Sequence, residues 1–281
     1  MSNENPVHPA TSTHRLPPEL LEDICLQTFR LQNVKGRVAY DVAHIAESPW
    51  VLGHICRSWG HISTLLPTLW STLLIQETSS TDPKHFMAKL DVALCCSRNV
   101  PLTFSASFGS RDVNFMRIAM ARLVARWQHA AFTLHADLQQ TMLPALFDLS
   151  SLESFSLNVT RVLQRGKETE IPAGILDTAP KLRTICLYPL TTIHLPQQLA
   201  ELNVGPITVQ KLLHLLSAAP ELKVFRARLS TSGARVLTSL TYTSLQVLLL
   251  RLDFLSLSPF KYLTIPSPIH LTCDETINER T

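Results

Sequence analysis

The sequence predicts an α+β protein, in which a small N-terminal helical bundle is followed by an irregular α/β solenoid. Two amphipathic helical patterns lie before residue 70, and short β-like runs alternate with helical ones from about residue 71. One apolar spacing also recurs along the second half of the chain. At 281 residues, with 46% hydrophobic and 17% charged content, the chain has the composition of a folded globular protein.

The first helical pattern begins at the proline pair of positions 17 and 18, and prolines are favoured at the start of a helix. The apolar residues that follow at helical spacing are Leu20, Leu21 and Ile24. Acidic residues occupy the first turns, where the helix dipole favours negative charge, and they are Glu19, Glu22 and Asp23. We therefore predict an amphipathic helix that starts at the proline pair.

A second pattern follows Ser48-Pro49, which combines a helix N-cap residue with a proline at the first helical position. Its apolar positions recur every three or four residues and are Leu52, Ile55, Cys56, Trp59, Ile62 and Leu66. That spacing predicts one continuous amphipathic helix. Such short helices form no stable core alone, so they pack either on another chain or on the rest of this one.

Three segments of this region resemble the F-box as it occurs in fungal proteins. They are Leu16-Pro17-Pro18-Glu19-Leu20-Leu21-Glu22-Asp23-Ile24, Ile55-Cys56-Arg57-Ser58-Trp59 and Pro67-Thr68-Leu69-Trp70. The resemblance implies a small helical bundle that binds the Skp adaptor of a cullin-RING ubiquitin ligase. The residues to which it assigns adaptor binding are Leu16, Pro17, Leu20, Ile24, Ile55, Cys56, Arg57 and Trp59.

The segment 31–47 is longer than the compact loop of a minimal F-box. An insertion there is tolerable, because lengthening a surface loop adds closure entropy only logarithmically. We predict a disordered tail over residues 1–13 and an F-box domain with a longer internal loop over residues 14–75.

After the F-box, the β-like runs lie at 70–76, 102–108 and 131–135, and the helical runs at 82–94 and 112–127. A recurring apolar-x-x-apolar-x-apolar unit then follows, in Leu152-Phe155-Leu157, Leu182-Ile185-Leu187, Leu199-Leu202-Val204, Leu222-Phe225-Ala227 and Leu245-Leu248-Leu250. The first residues of these units are 30, 17, 23 and 23 positions apart. Spacings in this range are similar to those of leucine-rich repeats.

The positions where regular leucine-rich repeats carry asparagine or cysteine hold other residues here, namely Thr160, Leu190, Ile207, Ser230 and Asp253. We therefore predict an irregular leucine-rich-repeat-like α/β region over residues 76–255, followed by an irregular tail or truncated repeat over residues 256–281. The alternative is an ordinary α/β domain with leucine-rich strands.

Side chains that alternate with the apolar ones must point to the opposite face of each strand. On that face the sequence places the predicted substrate-binding residues Tyr188, Asn203, Arg226, Arg228 and Arg251. Guanidinium groups pair bidentately with carboxylate and phosphate, which favours an acidic or phosphorylated segment of the substrate. The alternative is that these arginines are ordinary solvated charges.

Catalytic motifs are missing from the sequence, which has no Gly-rich phosphate loop, Gly-x-Ser-x-Gly elbow, Cys-x-x-Cys pair or His-Glu-x-x-His pair. We therefore predict a protein that is not an enzyme and has no cofactor or metal. The net charge of +3 is too small to indicate nucleic-acid binding. The absence of a signal peptide, of a membrane-spanning run and of a disulfide framework among the six cysteines predicts an intracellular protein, cytoplasmic or nuclear, without a membrane partner.

These observations together predict the substrate-recognition subunit of a Skp-cullin-F-box ubiquitin ligase. Its partners would be a Skp-type adaptor, through it a cullin-RING ligase, and an unidentified protein substrate. The alternative is a leucine-rich-repeat-like protein-binding scaffold with no ubiquitin ligase role.

Overall fold

The structure is a computed structural model that describes residues 17–31, 40–42, 49–76, 82–108, 113–135, 149–160, 176–189, 194–229, 240–252, 263–264 and 270–275. The chain divides into two compact units. The first consists of residues 1–74 and 84–100, and the second of residues 75–83 and 101–281. Within the described ranges, no helix is both long and apolar enough to cross a membrane.

The described part of the first unit contains helices and a short pair of strands. The helices are α1 (Pro18–Leu31), α2 (Leu52–Ile55), α3 (Arg57–Leu65) and α4 (Pro83–Ser97). Strand β1 (Tyr40–Asp41) pairs in parallel with the first residues of β2 (Thr72–Gln76), and Val42 N–H extends the pairing by donating to the Leu74 carbonyl at 3.0 Å.

Helix α1 begins at the proline pair, as predicted, with Glu19 in its first turn. The Pro17 carbonyl accepts the N–H groups of Leu20 and Leu21, so the helical hydrogen bonds start immediately after the pair. The predicted apolar face is split between two environments, because Leu21 and Cys25 are buried whereas Leu20 and Ile24 are exposed.

The predicted continuous helix after Ser48-Pro49 is wrong. The backbone of Cys56 is extended, with φ −163° and ψ 170°, and it separates α2 from α3. A Cβ added to Gly60 on α3 would lie 3.2 Å from the Cα of Gly53 on α2, so the two backbones approach closely. In an unbroken helix, residues seven apart are about 10 Å apart along the axis, so this contact requires the break.

The segment after α3 places a buried tryptophan in the core of the first unit. Residues Pro67–Trp70 form a 3-10 helix that buries Leu69 and Trp70. The indole N–H of Trp70 donates to the Ser63 carbonyl at 2.7 Å, and its ring packs edge-on against Trp50 with 4.9 Å between centroids. Trp70 therefore satisfies a carbonyl of the last turn of α3 while filling the core.

The second unit is built on a sheet of parallel strands that run in sequence order. Its eight described strands are β3 (Leu102–Phe108), β4 (Trp127–His135), β5 (Ser154–Thr160), β6 (Thr184–Tyr188), β7 (Glu201–Ile207), β8 (Val224–Leu229), β10 (Val247–Leu252) and β12 (His270–Glu275). A separate parallel pair joins β9 (Leu240–Thr241) to β11 (Leu263–Thr264).

Helices connect some of these strands. Helix α5 (Val113–Leu123) and the 3-10 turn Val124–Arg126 lead from β3 to β4, the 3-10 turn Leu176–Thr178 precedes β6, and α6 (Val209–Ala218) leads from β7 to β8. The side chain of Thr208 caps α6 by accepting the Lys211 N–H at 3.3 Å. The leucines that α6 buries are Leu212, Leu213, Leu215 and Leu216.

The predicted fold class, an α+β protein with a helical F-box bundle followed by an irregular leucine-rich-repeat-like solenoid, is wrong. The second unit is an α/β fold with one all-parallel sheet, and β3 and β4, which lack the recurring spacing, belong to that sheet. Strand pairing depends on backbone register and not on a fixed repeat length, so connections of unequal length lead back to the same sheet. The alternative of an α/β domain with leucine-rich strands fits this architecture. The predicted domain boundaries stay predictions.

The five strands predicted from the apolar spacing are confirmed as β5, β6, β7, β8 and β10. Their apolar residues align across the sheet in two buried rows. The first row is Phe155, Ile185, Leu202, Phe225 and Leu248, and the second is Leu157, Leu187, Val204, Ala227 and Leu250. These rows form the core beneath one face of the sheet, because every second side chain points the same way.

An aromatic cluster extends this core towards β3. Trp127, predicted at the end of a helix, instead begins β4 and is fully buried. Its ring stacks on Phe104 with 5.5 Å between centroids and meets Phe132 edge-on, and Phe132 lies 6.0 Å from Phe155. These rings join three neighbouring strands through one continuous apolar contact.

A buried tyrosine fixes the turn before β8. The hydroxyl of Tyr242, a residue that is 5% exposed, donates to the Ala219 carbonyl and accepts the Leu222 N–H at 3.1 Å. Burial raises the pKa of this phenol, and the hydrogen bond from Leu222 opposes that shift. The neutral hydroxyl is therefore the form that the folded chain favours.

We predict that Tyr242→Phe lowers the free energy of unfolding by about 1–3 kcal/mol at pH 7, because it removes a buried hydroxyl from two backbone groups. Since the folded pKa is raised, the contribution of Tyr242 is complete below the unfolded pKa of about 10 and declines as the pH rises through the folded pKa. Urea unfolding followed by circular dichroism should show a smaller difference between the two proteins at pH 11 than at pH 7. An equal difference at both values would contradict the pKa assignment.

We also predict opposite effects for alanine at the two glycines of the first unit. Gly53→Ala meets open space and should stabilise the protein by about 0.5–1 kcal/mol through helix propensity. Gly60→Ala places its methyl group against the Gly53 backbone, and overpacking of this kind costs about 1–3 kcal/mol, so it should destabilise. Urea unfolding followed by tryptophan fluorescence compares the two variants, and equal gains from both would contradict the close approach of α2 and α3.

Candidate protein-binding surfaces

The helices that resemble an F-box carry apolar side chains in solvent. Leu20 and Ile24 are 49% and 39% exposed one turn apart on α1, and Ile55, at the end of α2, is 57% exposed. Helices α1 and α2 each contact α3, so the three belong to one helical group. The opposite side of this group is its core, where Leu21 and Leu52 are buried.

The remaining predicted adaptor-binding residues have mixed environments. Pro17 and Arg57 are exposed, whereas Cys56 and Trp59 are half-buried. Leu16 lies outside the described residues. Half-burial of Trp59 means that this ring contributes to the helical group and also reaches its surface.

Exposed large apolar side chains are concentrated on α1, α2 and α3. Of seven such residues in the described part of the chain, four lie there, and the full set is Leu20, Ile24, Ile55, Leu65, Val92, Ile118 and Tyr188. Single exposed apolar residues are ordinary, whereas a concentration of them on one group of helices is typical of a binding surface.

A second candidate surface is a pocket of about 420 Å³ in the second unit. The pocket lies on the face of the sheet opposite the apolar rows, between the last residue of β6 and the middle residues of β7, β8 and β10. Its lining contains all five predicted substrate-binding residues, Tyr188, Asn203, Arg226, Arg228 and Arg251, together with Val204, Gly205, Ala227, Leu249 and Leu250.

The register of the strands explains why these residues meet. Asn203 pairs with Arg226, which pairs with Leu249, so the three side chains stand in one row across β7, β8 and β10. Two residues further along, Arg228 pairs with Arg251 in a second row. Because neighbouring strands are about 4.8 Å apart, residues in one row are adjacent on the same face.

A tyrosine forms one wall of the pocket by packing against a glycine. A Cβ added at Gly205 would lie only 2.7 Å from Cδ2 of Tyr188, so only glycine admits the ring at this distance. The pairing register of β7 shifts between Val204 and Pro206, which places Gly205 at a bulge. Tyr188 remains 51% exposed and presents its other side to solvent.

The three arginines of the pocket differ in their surroundings. Arg226 forms an ion pair and hydrogen bond with Oε1 of Glu201, and these side chains are 40% and 31% exposed. Arg228 and Arg251 are exposed, and their positions lie next to each other in the register. The position after Arg251 in the register is Asp274 on β12. Arg226 thus has a described carboxylate partner in Glu201.

Sequence reasoning missed three residues that shape this pocket, namely Gly205, Glu201 and Leu249. Glu201 and Leu249 have the same outward position along their strands as Asn203 and Arg251, so strand alternation contained the signal for both. Gly205 carried no such signal, because its importance depends on the ring of Tyr188 from the neighbouring strand.

The environments of two described cysteine thiols, Cys25 and Cys96, oppose activation. Burial raises the pKa of the Cys25 thiol, and the nearby charge of Glu22 raises it further. Burial is also the main cause that raises the pKa of Cys96. Thiolate is the nucleophilic form of cysteine, so neither thiol is primed for attack at neutral pH.

Among the described residues, no group of three His, Cys, Asp or Glu side chains could hold a metal ion.

Comparisons with known proteins add no relative: no protein-family model, curated protein or solved structure matches this chain.

Proposed function

We propose that this chain is the substrate-recognition subunit of a Skp-cullin-F-box ubiquitin ligase. Helices α1, α2 and α3 bind a Skp-type adaptor, and the second unit binds the protein to be ubiquitinated. The proposal places the protein inside the cell, in the cytoplasm or the nucleus, and assigns it no catalytic group of its own.

The observation that carries the proposal is the exposure of Leu20, Ile24 and Ile55. These three residues occupy positions of the F-box resemblance that are expected to face the adaptor. Their exposure in the isolated chain leaves roughly 25 cal/mol of hydrophobic stabilisation available for each square ångström that a partner would cover. Buried aliphatic anchors of this kind commonly dominate the affinity of an interface.

The chemical contribution of such a subunit is proximity. Binding one partner through the first unit and another through the second holds the substrate near the ubiquitin carrier that the ligase recruits. A tether of this kind replaces an encounter in solution by a local one at high effective concentration. The bond-making groups then belong to the other subunits.

Co-purification with a Skp adaptor tests the proposal. We predict that the triple variant Leu20→Ala/Ile24→Ala/Ile55→Ala binds the adaptor more than tenfold more weakly, because the lost anchors together contribute about 2 kcal/mol or more. The substituted side chains are exposed, so the variant should remain folded by circular dichroism.

The matched control is Val92→Ala/Ile118→Ala, which shortens side chains that are 45% and 53% exposed but lie outside the F-box resemblance. It should bind the adaptor as the unchanged protein does. Full adaptor binding by the folded triple variant would contradict the assigned surface. If the unchanged protein does not bind the adaptor, a protein-binding scaffold without a ligase role becomes the better description.

A further inference from the structure

We propose that the pocket of the second unit binds an unmodified, extended segment of the substrate, and that Asn203 and Arg226 form hydrogen bonds to the backbone of that segment. An apolar side chain of the segment packs against Tyr188 and Leu249, and Glu201 positions Arg226. This inference rests on the proposed function only in taking the ligand to be a protein segment. Its test uses the isolated chain and needs no adaptor.

The ion pair of Arg226 holds its guanidinium group in place. Nη1 of Arg226 donates to Oε1 of Glu201, and the two side chains are 40% and 31% exposed. Because this carboxylate balances the charge of Arg226, the group requires no anion from a ligand. A guanidinium has five N–H donors, so a bond to one carboxylate oxygen leaves donors for a neutral acceptor. Arg226 is therefore suited to a backbone carbonyl of a peptide.

Three side chains of the pocket stand in a row whose length matches an extended peptide. Asn203 on β7 is beside Arg226 on β8, and Leu249 follows on β10. Neighbouring strands are about 4.8 Å apart, so the row spans roughly 10 Å, which is also the length of about three residues of extended chain. The amide of Asn203 both donates and accepts, as a peptide backbone requires. A segment that lies across the strands can thus meet all three side chains.

The two outer strands of the pocket provide apolar surface. Tyr188, at the end of β6, packs against Gly205 and remains 51% exposed, and Leu249 on β10 is half-buried. Covering these side chains with an apolar group removes their surface from water, which favours binding. The pocket volume of about 420 Å³ lies within the range of ligand sites and accommodates one side chain with part of its backbone.

The inference gives no role to the charges of Arg228 and Arg251, which also line the pocket. Arg228 already has an interaction of its own within the chain. A neutral segment held by hydrogen bonds and apolar contact binds with little dependence on salt, whereas an anion held by exposed arginines is released as salt screens the charges. Salt dependence therefore separates the two kinds of ligand.

Fluorescence anisotropy of a labelled peptide with the full chain tests the inference. The probe is acetyl-Ala-Ala-Leu-Ala-Ala-amide with an uncharged fluorophore. Comparison peptides carry glycine, glutamate or phosphoserine at the central position, or a thioamide in place of the leucine carbonyl, because sulfur is the poorer acceptor. The leucine peptide should bind about threefold or more tightly than the glycine and thioamide peptides, and its affinity should change less than about twofold between about 50 and about 500 mM sodium chloride.

Substitutions in the pocket test the assigned contacts. Arg226→Ala and Tyr188→Ala should each weaken binding of the leucine peptide by about fivefold or more. The matched control is Lys223→Ala, which also removes a cation, at an exposed residue just before β8 and outside the pocket. The control should bind within about twofold of the unchanged protein. Circular dichroism of each variant confirms that it is folded.

A double-mutant cycle tests Glu201 as the residue that positions Arg226. Glu201→Ala should weaken peptide binding by about threefold or more, and Glu201→Gln, which keeps an acceptor oxygen, should lose less. In the Arg226→Ala background, Glu201→Ala should have no further effect, because Glu201 acts through Arg226. An equal loss in both backgrounds would contradict this positioning role.

Three results would overturn the inference. They are tighter binding of the glutamate or phosphoserine peptide that weakens with salt, equal affinity for the leucine and glycine peptides, and no binding of the leucine peptide at millimolar concentration. Adaptor binding is measured separately on the same variants. Loss of peptide binding with the adaptor retained, or the reverse, distinguishes failure of this inference from failure of the proposed function.

Discussion

The second unit depends on backbone hydrogen bonding between parallel strands. Where strands begin, one carbonyl accepts two successive N–H groups from the next strand, at distances of 2.8–3.1 Å, and the acceptors are Glu153, Arg183, Ala200 and Lys223. This repeated bond sets a common register across β5, β6, β7, β8 and β10. Every apolar side chain of the two core rows then meets its counterpart on the neighbouring strand, and every alternate side chain meets its counterpart on the other face.

The same register creates the pocket, because residues distant in sequence become neighbours on one face of the sheet. Arg228 and Arg251 belong to different segments of chain, and only strand pairing makes them adjacent. The bulge at Gly205 modifies the register at one point and admits the ring of Tyr188. The regular part of the sheet thus provides a rigid support, and the irregularity at Gly205 shapes the site.

The first unit is organised by different means. A break at Cys56 lets α2 and α3 approach through Gly53 and Gly60, and Trp70 closes the group by bonding the Ser63 carbonyl. These contacts fill the interior and leave Leu20 and Ile24 outside. The two units therefore present chemically different surfaces: exposed aliphatic side chains on the first, and polar and cationic side chains on the second.

The sequence by itself determined the elements that depend on local patterns. The proline pair and apolar spacing predicted α1, and the recurring apolar spacing predicted β5, β6, β7, β8 and β10. Strand alternation placed Asn203 and Arg226 on one face. Tertiary structure alone decided that β3 and β4 join the same sheet, that Trp127 begins a strand, and that Glu201 engages Arg226. The physical reason is the sequence distance over which each interaction acts. Periodicity shows how one segment divides its own side chains between two faces. Sheet membership, helix breaks and ion pairs depend instead on which distant segment lies alongside.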